Sequence, residues 1–244
     1  GRDVDEVLLE DGAERLDDSL GRFGFGRPTA LGFPHEAAGL TLPLEEWSGT
    51  SIGSIPIGQG ISVTAMQMLS AFNVVANDGV YVPPRLVLAR VGDDGERRPV
   101  AAARPERVVS TGTARQLTTM MMSVVDAGTG AGAAIPGYSV AGKTGTARKP
   151  QDTGGYEDAA GNYHYVATFA GFVPAEDPEL SMIVVLDEPT SSIYGGEVSA
   201  PVFSQLGQYA LARYGIAPPA QLAPAPAAPV AVDPSQDGIG TPVE

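Results

Sequence analysis

The chain has 244 residues, 43% of them hydrophobic and 18% charged, enough to bury a substantial core in one large domain or two small ones. Its formal net charge of −14 argues against a phosphate-backbone binder, which needs a basic footprint, and against a polybasic contact with a membrane surface. Cys is absent and His occurs only as His35 and His164, so disulfides, thiolate nucleophiles, Cys-ligated zinc and a His-rich metal site drop out together.

Two further counts narrow the chemistry. Of 15 basic residues only Lys143 and Lys149 are lysines, so any lysine chemistry rests on one of them. The longest unbroken aliphatic run, Met182 to Leu186, is far short of the ~20 apolar residues of a membrane helix. The chain opens at Gly1 with no basic and apolar leader, which reads as a processed or excised piece with any targeting segment upstream.

In chain order, residues 1–22 hold eight carboxylates among Val4, Val7, Leu8, Leu9, Leu16 and Leu20. That pattern predicts an acidic, amphipathic helical region interrupted near Gly12 and stopped by Gly21 to Gly26. Residues 27–60, rich in Gly, Pro, Ser and Thr, are expected as loop with short extended pieces. Ser62 to Asn77 starts at an N-cap residue and is apolar nearly all round, as an interior helix would be. A turn at 77–79 leads into a strand after Pro83 and Pro84, then a hairpin at Asp93-Asp94-Gly95. A second helix is expected at about Thr113 to Asp126, with Leu117, Met120, Met121, Val124 and Val125 buried. Three β segments follow, at Tyr138 to Ala147, Tyr165 to Val173 and Leu180 to Leu186. A last helix over Val198 to Tyr214 places Val198, Val202, Leu206 and Tyr209 on one face. Residues 217–244 hold seven Pro and seven Ala, which reads as a disordered, PPII-leaning tail after a domain over 1–216. Helices first, hairpin-like strands next and a closing helix suggest an α+β fold with an antiparallel sheet.

Gly137 to Thr144 matches the phosphate-loop spacing G-x-x-x-x-G-K-[ST]. A phosphate loop needs its Lys-Thr to open a helix whose amides face the phosphates. Here Gly145, Pro150, Gly154 and Gly155 forbid a long helix, and Tyr138 to Ala141 itself reads as strand, so nucleotide binding is not expected. The other reading of these residues is Lys143-Thr144-Gly145-Thr146 on a strand beside a cleft. Their company includes Trp47 to Ser51, Ile57 to Thr64, Asn77 to Val80, Gly128-Thr129-Gly130, Phe169 to Phe172, and Tyr194-Gly195-Gly196 through Pro201-Val202-Phe203.

In this order and spacing, residues 10–215 resemble the C-terminal half of the transpeptidase domain of class B penicillin-binding proteins, of the septum-building cell-division branch. The resemblance implies the penicillin-binding protein/serine β-lactamase-like fold and a D,D-transpeptidase that cross-links peptidoglycan stem peptides ending in D-Ala-D-Ala through a serine acyl-enzyme. β-Lactams would be its inhibitors and divisome membrane proteins its partners, with no cofactor, no metal and no nucleic acid. An upstream transmembrane helix would hold the domain on the extracytoplasmic face of the membrane. By the same resemblance Lys143 is the cation of the cleft and the Thr146 N–H is one of two oxyanion donors. Thr144 and Thr146 would meet the substrate carboxylate, and Gly145 would let the substrate backbone lie against the strand edge. Tyr165 and Tyr194 match aromatic positions that line the pocket in some relatives, with a half-buried structural Tyr as the alternative. Gln59 and Thr129 read as backbone-organising, Met120 to Met122 as core packing, and His35 and His164 as surface loop residues.

The departures matter equally. The family's nucleophile sits in S-x-x-K and a second motif is S-x-N, yet Val140 and Thr146 stand three before Lys143 and Lys149, and Ala71, Val75 and Ala160 stand two before Asn73, Asn77 and Asn162. In the family S-x-N lies shortly upstream of the segment resembling Arg22 to Gly26, so Gly1 is expected to begin just past it. A D,D-carboxypeptidase or β-lactamase is the nearest alternative enzyme. A degenerate or truncated non-catalytic binding module is the alternative of a different class.

Overall fold

The computed structural model describes residues 4–219 apart from 33 and 153, with side chains from residue 12 onward. Most of the proposed tail lies outside the described residues. Helix α1 (Val4–Arg22) runs unbroken through Gly12, where the sequence predicted an interruption. A Cβ at Gly12 would stand 3.0 Å from Ile52 Cδ1 in the one-turn helix α2 (Ser51–Ser54), so the glycine admits a neighbouring helix. That packing outweighs the ~1 kcal/mol that glycine costs inside a helix.

Residues 27–60 are mostly loop, tied by β1 (Leu40–Thr41) pairing antiparallel with β2 (Ile61–Ser62). Helix α3 (Ala65–Ala76) begins later than expected because Thr64, not Ser62, caps it. The Gln67 N–H donates to Thr64 Oγ1 and the Thr64 N–H to Gln67 Oε1, a reciprocal capping box. The buried Gln67 side chain also donates to Arg27 O and Ala38 O at 2.8 and 2.7 Å, which fastens the preceding loop to the helix.

Strand β3 (Val80–Tyr81) precedes the expected hairpin, which consists of β4 (Ala89–Val91) and β5 (Arg97–Pro99) only; Leu86, Val87 and Leu88 are exposed and lie outside any strand. Strand β6 (Glu106–Arg107) returns to pair with β3. Helix α4 (Thr111–Ala127) starts from Ser110, whose hydroxyl accepts from the Thr113 N–H at 3.0 Å. Its inner stripe is Ala114, Leu117, Met121 and Val125, while Met120 is 63% exposed and is no part of the core expected of the Met cluster. The α-helical period explains this: Met120 lies about 100° round the helix from the middle of that stripe, on its flank.

The sheet consists of β7 (Ala141–Arg148), β8 (Tyr165–Val173) and β9 (Leu180–Asp187), antiparallel in the order β7-β8-β9. Its two faces are covered unequally. Helix α5 (Gly195–Val198) and helix α6 (Ala200–Tyr214) lie on the face carrying Phe169, Met182, Val184 and Leu186. On the other face α3 and α4 pack over Ala141 and Phe172. The α6 face differs from the expected one: Ala200, Phe203, Ser204, Gly207 and Leu211 are buried, whereas Leu206 and Tyr209 are 50% and 69% exposed. Small residues decide this. A Cβ at Gly207 would sit 2.5 Å from Ile135 Cδ1, so the helix axis approaches the core along its glycine side. Phe203 then meets Phe169 edge to face, with ring centroids 4.8 Å apart.

Candidate active site

Lys143 to Thr146 occupy the middle of β7, which among the described residues pairs only with β8. The other side of β7 is an open strand edge, and an open edge can take an added strand. Strand alternation separates the motif's side chains. Lys143 and Gly145 share the face of Ala141, whereas Thr144 and Thr146 share the face of Phe169 and α6. Because Lys-Thr lies within a strand and opens no helix, the phosphate-loop spacing has none of the geometry that phosphate binding needs.

The exposed Lys143 Nζ donates to Thr144 O at 3.0 Å and lies 3.4 Å from Thr144 Oγ1. The Lys149 N–H donates to His164 O at 2.8 Å in the same register, so the odd-numbered residues of β7 bond toward β8 and the Thr144 carbonyl faces the edge that β8 does not occupy. In an antiparallel strand a residue's N–H and C=O share an edge and alternate residues repeat it. The Thr146 N–H therefore faces the open edge too. Lys143 makes no ion pair among the described residues, so its ammonium is available to an anionic ligand lying along that edge.

Two segments back the strand. Thr144 Oγ1 is 2.9 Å from Thr129 Oγ1, in the loop between α4 and the 3-10 turn Ala131–Ala133. The Gly195 N–H donates to Thr146 Oγ1 at 3.3 Å. Gly195 and Gly196 are glycines for a steric reason. A Cβ at Gly195 would fall on Thr168 O, and one at Gly196 on Thr129 O. Gly145 is constrained as well, since its Cβ would collide with Thr168 Oγ1 across the ladder. Tyr194, 57% exposed, is the N-cap of α5 and is carried to the Thr146 end of the motif by its neighbour Gly195. Tyr165 is not brought to Lys143. The register sets it opposite Arg148, at the far end of β7 and on the other face.

Beyond Arg148 the β7–β8 hairpin is held by an ion network that the sequence did not reveal. Lys149 Nζ contacts Asp187 Oδ2 and Glu188 Oε1, both at 2.8 Å. These hydrogen bonds, Asp187 first, raise the Lys149 pKa above its ordinary value. His164, expected as an ordinary surface residue, is half-buried between Asp158 Oδ2 at 3.2 Å and Glu188 Oε2 at 3.1 Å, which raise its pKa. Asp158 in turn accepts from the Ala160 and Asn162 N–H groups at 2.8 Å, and these bonds with His164 hold its carboxyl well below the usual range. Arg148 stacks over the Tyr163 ring at 4.1 Å. Lys149 is thus held by two carboxylates at the strand end, while Lys143 at its middle has no ion-pair partner among the described residues.

The penicillin-binding protein transpeptidase domain family matches residues 6–208. The chain belongs to that family. It is 40% identical over 232 residues to the penicillin-binding protein PbpB of Mycolicibacterium smegmatis, a match covering 90% of the chain and 34% of the relative. It is 37% identical over 226 residues to the "Probable peptidoglycan D,D-transpeptidase PbpC" of Pseudomonas aeruginosa, covering 92% of the chain and 37% of the relative. Among solved structures, penicillin-binding protein 3 of Mycobacterium tuberculosis complexed with aztreonam superposes with a TM-score of 0.76 at 38% identity, over 86% of this chain and 48% of that one. The chain therefore spans about a third of the length of these curated relatives. The α+β fold with an antiparallel sheet, expected from element order alone, is the fold of this transpeptidase family. The candidate site is one strand edge with Lys143 beside it and two backing loops behind, and no described group of acidic or His residues could hold a metal ion.

Proposed function

We propose that this chain supplies one wall of the acyl-transfer cleft of a septal, class B peptidoglycan D,D-transpeptidase that is longer than the 244 residues. The observation that carries the reading is the Lys143 ammonium, without an ion-pair partner among the described residues, beside a strand edge that no described strand occupies and that also presents the Thr146 N–H. A stem peptide ending in D-Ala-D-Ala is extended and anionic, and it would lie along that edge as an added strand, its carboxylate toward Lys143, Thr144 and Thr146. Gly145 leaves room for its backbone, and Tyr194 flanks the end of the strand. Tyr165, at the far end, has at most an indirect part.

The chemistry is acyl transfer. A serine of the S-x-x-K motif, which this sequence lacks, attacks the carbonyl of the penultimate D-Ala, and the serine proton passes to the departing amine. D-Ala leaves, and an ester joins the serine to the shortened peptide. The amine of a second stem peptide then attacks the ester, forms the cross-link and returns the proton to the serine. The Thr146 N–H serves as one oxyanion donor in both steps. β-Lactams would acylate the same serine, and the relative bound to aztreonam supports this. Extracytoplasmic exposure, an upstream membrane anchor and divisome partners belong to the same proposal, because the stem peptide lies outside the membrane.

The test is to supply the complete protein with a synthetic stem pentapeptide and with penicillin. Release of D-Ala and a penicillin adduct by intact mass are expected. A folded complete protein giving neither would favour the non-catalytic module.

A further inference from the structure

We infer that Thr129, in the loop after α4, is a positioning residue for Lys143; this rests on the transpeptidase reading above. The observation is a chain of contacts running through the strand from back to front. Thr129 Oγ1 stands 2.9 Å from Thr144 Oγ1, which stands 3.4 Å from Lys143 Nζ, while Thr144 O accepts from the same nitrogen at 3.0 Å. Alternation directs Thr144 away from the face that carries Lys143, and among the described residues Thr129 is the side chain other than Lys143 that its hydroxyl contacts.

A hydroxyl has one proton and two acceptor sites. When Thr144 Oγ1 accepts from the ammonium, Thr129 takes up one of its two remaining sites, the proton or the second acceptor position, with either hydroxyl as donor of that bond. Thr129 thereby selects the Thr144 rotamer that faces Lys143. Its own place is fixed from behind, since Gly196 lies against Thr129 O so closely that a Cβ there would overlap the oxygen. Lys143 has four rotatable side-chain bonds and no carboxylate partner among the described residues. Among the described residues, the two Thr144 oxygens are the contacts that choose one position for the ammonium. The sequence motif names Lys143 and Thr144, and Thr129 lies outside it.

The test uses the complete protein and the second-order rate of acylation by a fluorescent penicillin, with melting temperature recorded for each variant. Loss of one hydrogen bond in a charged network predicts that Thr129→Val slows acylation about five- to tenfold. Thr129→Ser, which keeps the hydroxyl, should acylate near the wild-type rate. Thr144→Val combined with Thr129→Val should be no slower than Thr144→Val alone, because both remove the same link. Melting temperatures should stay together, Thr129 being exposed. Wild-type rates in Thr129→Val, or equal slowing in Thr129→Val and Thr129→Ser, would overturn the inference. Lys143→Ala separates the two levels: if it acylates normally the transpeptidase reading of the site itself fails, whereas an inactive Lys143→Ala beside a fully active Thr129→Val removes only the role of Thr129.

Discussion

At Gly195 an added methyl group would fall on Thr168 O and lie 2.6 Å from Gly145 O, both of them backbone atoms that no side-chain rotation can move aside. Gly195→Ala should therefore shift the backing segment off β7 and lower stability by about 1–3 kcal/mol, the usual cost of overpacking. Gly49→Ala is the control, since a Cβ there meets nothing within 4 Å. Thermal unfolding of the two variants should separate clearly, and equal melting temperatures would contradict the close-packed account of Tyr194 to Gly196. Lys143 to Thr146 were legible in the sequence because a four-residue motif on a strand is local information. The reason for Gly195 and Gly196 was not, because it is a distance to β7, β8 and Thr129. His164 is the loop residue expected, but its partners were hidden for the same cause: Asp158 and Glu188 come from the hairpin tip and from the residue after β9.

Among the elements, the β7–β8 hairpin carries a pH dependence whose sign follows from its pKa shifts. His164 is raised by Asp158 and then Glu188, so its contribution is fully present below the ordinary His value of about 6.5 and is lost as pH rises through the raised value. Glu188, held down by Lys149 and then His164, and Asp158, held down by Asn162, contribute above the ordinary carboxylate range and lose that contribution as pH falls. The hairpin should be most firmly held between these limits, at about pH 5–6. Hydrogen exchange of residues 149–164, corrected for intrinsic rates, should show protection falling from pH 6 to 9, and His164→Gln should flatten that fall. Constant protection in the wild type across this range would refute the network as a tether. Periodicity located α3, α4, β8 and β9 within a few residues, because their buried stripes are long. It misjudged α1 at Gly12 and the inner face of α6. In both places a glycine lets a neighbouring element pack against the helix where a Cβ would not fit.

For the whole molecule, the sheet is covered by α5 and α6 on one face but by α3 and α4 over only the Ala141–Phe172 end of the other. Toward the opposite end Val185 is 44% exposed, and Val166 and Thr168 are only half-buried. Apolar sheet surface of this kind invites association. The 244-residue chain alone should therefore associate, and it should give no penicillin adduct by intact mass, because none of its serines has a lysine three residues on. A monomeric, sharply melting chain would contradict the first expectation, and an adduct on any of its serines the second.

On the proposed reading, a placed ammonium at Lys143, rather than positive charge in general, serves acyl transfer. Acylation of the complete protein by labelled penicillin, compared between Lys143→Ala and Lys149→Ala, tests it most directly. Lys143→Ala should slow acylation by about 10²–10⁴-fold, as loss of a placed catalytic group does. Lys149→Ala removes two partly exposed ion pairs at the strand end, away from the Lys143 edge, and acylation should stay within about twofold of wild type. Equal losses in the two variants would contradict the account.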